Sequence, residues 1–150
     1  MFDQRDLNKA LFSKEFDNTS SSSPYLCIDE DLSIVYIWGK GDGNIRVFEA
    51  TENALIDATE FKSNVQQSGL VLLPKRVSTN VKEGRIGTFL KLTPKIIDVI
   101  HVLVPRAGGN SFFDADIWPD TWSGEPLAEA GPFLTSGELG ERKLISLEPK

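Results

Sequence analysis

The sequence predicts an all-β fold, and three observations carry that prediction. Short runs rich in Val, Ile, Leu, Tyr and Phe recur as far as Pro105: "PYLCI", "SIVYIWG", "NIRVFEA", "GLVLLP", "RIGTFLKL" and "IIDVIHVLVP". Such segments fit a pleated, half-buried surface better than a helix. Clusters of Asp, Gly, Pro, Ser and Asn separate the runs, as the turns of antiparallel meanders require. The chain has 150 residues, 40% of them hydrophobic and 25% charged, which is ordinary for one globular domain with a sizeable core.

Taken in order, "TSSSSP" at 19–24 is flexible by composition but short, and reads as a connection between strands rather than a domain linker. "SIVYIWG" and "NIRVFEA" then flank the glycine-rich run Gly39, Lys40, Gly41, Asp42, Gly43. A dinucleotide fingerprint needs G-x-G-x-x-G opening a helix, and a P-loop ends in Gly-Lys-Ser/Thr. This run has neither spacing, and a strand pattern follows it in which Ile45 and Val47 alternate with Arg46 and Phe48. Asp42-Gly43 between two alternating segments predicts a tight hairpin with a primed turn, since Asp and Gly tolerate positive φ. Gly39, Gly41, Asp42 and Gly43 are therefore read as turn residues.

Farther on, Lys75 and Arg76 follow Pro74, and Arg106 follows Pro105, placing cations just beyond two strand ends. Loops there present side chains to partners, so these three are the candidate contact residues. From Ala107 the alternation stops and Gly, Pro and Trp become frequent. This predicts an irregular extension whose aromatics, Phe112, Phe113, Trp118, Trp122 and Phe133, lie against the sheets, because burying each is worth about 1.5–3 kcal/mol.

The formal net charge is −6. A phosphate-tracking protein needs a clustered positive footprint, so nucleic acid is not an expected partner, nor is an anionic membrane surface. The start "MFDQRDLNKA" has no apolar core of a secretory signal, and no apolar run approaches the roughly 18 residues of a membrane span. The single cysteine, Cys27, forms no internal disulfide and fits a reducing compartment, so a cytoplasmic location is expected. It reads as a small buried hydrophobe with no catalytic partner. His101 lies in a strand-like run with no second histidine, and reads as structural rather than catalytic. Asp29, Glu30 and Asp31 lack the alternating ligands of a calcium loop and read as a solvated turn. No catalytic residue, metal site or cofactor is expected.

"FDQRD", "GKGDGNIRVFE", "LPKR", "FLKL", "VPR" and "DIWPDT" occur in that order, and together they resemble the coronin family of WD-repeat actin-binding proteins over nearly the whole chain. "GKGDGNIRVFE" is similar to the family's "GKGDGNIRYYE" signature. The resemblance implies part of a seven-bladed β-propeller: about two and a half blades over 1–106, with 107–150 as an extension packed on the propeller. Phe2-Asp3 stands where a blade's Trp-Asp pair would be, with "ALFSKEF" as the outer strand. "PYLCI", "SIVYIWG", "NIRVFEA" and "LIDATEF" would form one complete blade, and "GLVLLP", "RIGTFLKL" and "IIDVIHVLVP" three strands of the last.

The same resemblance implies binding to actin filaments, and a cytoskeletal location, through a surface and without catalysis. The first blades, the strand that completes the last blade and the coiled coil of the family lie outside this stretch, so bundling is not expected. Two rivals stand beside this reading. One is a WD-repeat scaffold that binds other propeller segments or cytoskeletal proteins without actin affinity; the other is a small enzyme holding a nucleotide on the glycine-rich run.

Overall fold

The computed structural model describes residues 2–3, 5–15, 23–106 and 112–149. Phe2–Asp3 (β1) and Asp6–Ala10 (β2) pair antiparallel, Phe2 opposite Ala10 and Asp3 opposite Asp6. The outer strand expected at "ALFSKEF" is therefore displaced toward the N-terminus: it is "DLNKA", no strand runs through 11–15, and Phe16 lies outside the described residues. Lys14 supplies a reason. Its ammonium donates to the Leu55 carbonyl at 3.1 Å, pairs with the Asp57 carboxylate and sits 5.1 Å from the Phe48 ring centroid.

Pro24–Asp29 (β3), Ile34–Gly39 (β4), Asn44–Ala50 (β5) and Leu55–Lys62 (β6) form a four-stranded antiparallel sheet in chain order. β4 and β5 are paired on both edges and carry the buried apolar residues. Val35, Ile37 and Phe48 form one cluster with the half-buried Ala50 and Leu55 against it. On the other face Tyr36 stands opposite Val47 and Trp38 opposite Ile45, while Tyr25 of β3 stacks on Trp38 at 4.6 Å. Burial, reinforced by Asp29 and Cys27, holds the Tyr36 phenol far above its ordinary range. β5 and β6 lose register between Val47↔Thr59 and Phe48↔Asp57, leaving Ala58 as the extra residue of a bulge.

Two expectations change here. Cys27 is half-buried rather than buried, in keeping with the place of β3 at the edge of its sheet. Asp29 is buried, not solvated, and its carboxylate accepts the Leu32 N–H at 3.2 Å across the turn.

The loop between β4 and β5 is held by a latch. A primed turn at Asp42-Gly43 would need positive φ at both residues, but only Gly41 has it, at +91°, so the hairpin closes through the wider loop Lys40–Gly43. Gly43 serves a different purpose: the Ser63 carbonyl lies so close that no Cβ fits, and the Gly43 carbonyl accepts the Ser63 N–H at 2.9 Å. Gln67, fully buried, completes the latch. Its N–H donates to the Asp42 carbonyl at 2.8 Å and its carbonyl accepts the Gly41 N–H at 2.7 Å. Its side-chain amide donates to the carbonyls of Gly39 at 3.2 Å and Asn44 at 2.9 Å.

Gly69–Leu72 (β7), Arg85–Leu92 (β8) and Ile97–Leu103 (β9) make a three-stranded sheet in that order. Between β7 and β8 lie a single helical turn, Lys75–Ser78 (α1), and a 3-10 turn, Val81–Glu83, that the sequence pattern did not announce. Beyond β9, Thr121–Trp122 (β10) pairs with Leu144–Ile145 (β11), and Ala130–Ser136 (α2) is a short exposed helix. The two larger sheets are antiparallel meanders, each strand paired with its neighbours in chain order.

The chain divides into two compact units, Met1–Val71 with Leu90–Val99 and Leu72–Phe89 with Ile100–Lys150. In the first, the latch segment is also held by Lys91, whose buried ammonium donates to the Val65 carbonyl at 2.6 Å, and by the Ser68 N–H on the Leu92 carbonyl at 2.8 Å. Burial holds the Lys91 ammonium below its ordinary range, with Asp98 opposing. In the second, Val81, Ile86, Phe89 and Trp118 are buried. Trp118 donates its indole N–H to the Arg85 carbonyl at 3.2 Å, and Phe113 stacks on it at 6.4 Å. The other three aromatics of the extension correct the expectation of burial: Phe112 is 79%, Phe133 46% and Trp122 38% exposed. Phe133 sits on α2, none of whose residues is buried.

Alanine at Gly43 is expected to cost about 3 kcal/mol, because its Cβ meets backbone that cannot rotate away. Alanine at Gly41, where the Cβ meets nothing within 4 Å, is expected to cost only about 1 kcal/mol for the left-handed conformation. Urea denaturation of the two variants compares them directly, and equal losses would contradict the latch.

Candidate functional site

The glycine-rich loop borders an open groove of about 570 Å³ whose lining includes Asp42, Asn44, Glu60, Lys62 and Gln66. Its chemistry is polar but not phosphate-binding. The Gly41, Asp42 and Ser63 N–H groups are already taken by the carbonyls of Gln67, Gly39 and Gly43. The loop runs into β5, so no helix N-terminus points at the groove. The Asn44 amide donates to Glu60 at 2.9 Å and the Lys62 ammonium pairs with it at 3.0 Å. These contacts, the Asn44 bond first, hold the Glu60 carboxyl below its ordinary value.

The three predicted contact residues lie in the second unit in different settings. Arg106 is half-buried and tied down: its guanidinium donates to the Phe112 carbonyl at 3.0 Å, meets Asp114 at 3.4 Å and lies 5.9 Å from the Trp118 ring centroid. Lys75 and Arg76 share α1, where Lys75 is half-buried and Arg76 exposed. Arg76 lies over the Trp122 ring at 5.9 Å, and Arg142 lies over the same ring at 5.8 Å. Trp122 pairs with Leu144, which puts Arg142 two residues along on the same face, within reach of a large ring. The sequence reading missed Arg142, since its only signal is the β10–β11 register.

His101 on β9 is exposed; its ring meets Thr88 Oγ1 at 3.2 Å and the Arg85 guanidinium at 3.3 Å. Both neighbours belong to β8, the strand beside β9. Among the described residues, no three His, Cys, Asp or Glu side chains gather as a metal set, and no helix is long and apolar enough to cross a membrane.

No family model matches the chain. Curated relatives do: it is 43% identical to Coronin-A of Dictyostelium discoideum over 79% of its length, and 35% identical to Coronin-2A of Homo sapiens over 99% of its length. The WD40 domain of Toxoplasma gondii coronin superposes on 94% of the chain with a TM-score of 0.83 and 27% identity. This chain belongs to the coronin family. It spans 26% of the length of Coronin-A, 28% of Coronin-2A and 35% of the Toxoplasma gondii coronin chain. The coronin kinship places "GKGDGN" in a propeller hairpin, in keeping with the internal use of its amides.

Glu60 gives the groove a pH signature. Its folded pKa is depressed, so the stability it contributes is present above the ordinary carboxylate value and is lost as pH falls through the lowered one. An NMR titration is expected to place the Glu60 midpoint below that of a free glutamate, and Asn44→Ala is expected to move it upward. An unmoved midpoint in the variant would show that the Asn44 bond is not the cause.

Proposed function

We propose that this chain contributes an actin-filament contact of the coronin type and serves cytoskeletal regulation through a propeller surface, without catalysis. The observation that carries this reading is the coronin kinship, which extends over essentially the whole chain. In this reading residues 1–106 are propeller and 107–150 an extension packed on it, and the setting is the cytoplasm and its cytoskeleton. Arg76, the exposed cation of α1, meets the acidic filament surface, where local cations offset an overall negative chain, while the Lys75 ammonium beside it is enclosed. Arg106 supports the contact indirectly, by fixing the segment around Trp118.

A second reading, a scaffold that pairs with other propeller segments or cytoskeletal proteins without actin affinity, draws on β9. Among the described residues that strand ends its sheet with one edge unpaired, and such edges accept a further strand.

Co-sedimentation with actin filaments separates the two. The chain is expected to pellet with filaments, less so as salt rises, and the variant Arg76→Glu is expected to remain in the supernatant. A chain that stays soluble beside filaments at low salt would overturn the actin reading and favour the scaffold.

A further inference from the structure

The arrangement around Trp122 is more specific than a solvated charge. Arg76 reaches the ring from α1 and Arg142 from the approach to β11, so segments far apart in sequence converge on one indole. The ring is fixed, because its N–H donates to the Glu125 carbonyl at 3.1 Å, and it remains 38% exposed. Gly124 makes room for the arrangement: its φ is +85°, and a Cβ there would lie 2.7 Å from the Arg76 guanidinium carbon.

A guanidinium lying over a ring keeps its N–H fork for planar acceptors, which it binds in pairs. The chain carries 22 acidic residues against 16 Lys and Arg, yet among the described residues no carboxylate forms an ion pair with Arg76. Val77, next to Arg76, and Leu144, opposite Trp122, are 69% and 51% exposed and give the patch an apolar rim. A bare anion makes no use of such a rim, but the backbone and stems of a peptide do.

We propose that Arg76 and Trp122, with Arg142 against the same ring, form a docking site for an acidic peptide segment, a carboxylate on the Arg76 guanidinium and its chain across the indole and the Val77–Leu144 rim. The proposal deepens the contact proposed above for α1, and rests on that reading for its use of Arg76; it names the chemistry that this contact recognises.

The test is a titration of the full chain, without actin, with an acetylated Asp-Glu-Asp-Glu-Asp-Glu peptide, following the indole N–H signals by NMR. A saturable shift of the Trp122 signal is expected, with the buried Trp118 signal unmoved as a report on the fold. Arg76→Gln is expected to weaken binding about tenfold, the scale of one charge-assisted contact, and Arg76→Lys to restore only part of it. Absence of a Trp122 shift, unchanged affinity in the glutamine variant, or the same shift from inorganic phosphate at equal concentration would overturn the proposal. Peptide binding without filament pelleting would overturn the actin reading alone, and pelleting without peptide binding would overturn this one alone.

Discussion

The first unit is organised around one buried residue, Gln67. Gln67 receives or donates a hydrogen bond at three of its groups, and every partner lies in Gly39–Asn44. A buried carbonyl deprived of its donor costs about 1–3 kcal/mol, so the hairpin loop and the segment after β6 cannot be relaxed separately. The same segment is clasped from the other direction by Lys91 on Val65 and by Ser68 on Leu92. The glycine-rich run is thus an acceptor surface for the protein's own chain, and its glycines answer to backbone approach.

That explains which parts of the fold were legible in the sequence. β3 to β5 and β7 to β9 were legible because each carries a dense apolar run bounded by turn residues, and the central pair β4–β5 buries nearly all of its run; the exposed β6 was reached only through the family resemblance. β2 was not, because "DLNKA" has one apolar residue of any size and all five residues are exposed. The type of turn was misjudged for a long-range reason. Gly43 looked like a left-handed residue, yet its role is set by Ser63, and no local rule reports that approach.

The site was legible in part for the same reason. Residue type and position after a proline singled out Lys75, Arg76 and Arg106, but whether a cation is tied or presented depends on its partner. Asp114, only eight positions away, holds Arg106. Arg76 meets Trp122 through tertiary packing, and Arg142 meets it through a strand pairing of two residues on each side, too short to show any periodicity. The extension's aromatics were read from composition alone, which cannot separate Trp118, bonded to β8, from Phe133 on a solvated helix turn.

The bulge at Ala58 determines which side of the sheet carries Asp57. Residues directly opposite in an antiparallel pair share a face, and the extra residue is what brings Asp57, rather than Ala58, opposite Phe48. Lys14 uses that coincidence, touching the ring of one and the carboxylate of the other. Drawing Ala58 into the ladder opposite Phe48 would send Asp57 to the opposite side, leaving the incoming chain with an aromatic seat and no counter-charge, whereas deleting Ala58 would straighten the ladder and keep Asp57 where it is. The register of β6 on β5 is therefore part of the anchor that fixes where the preceding segment lands.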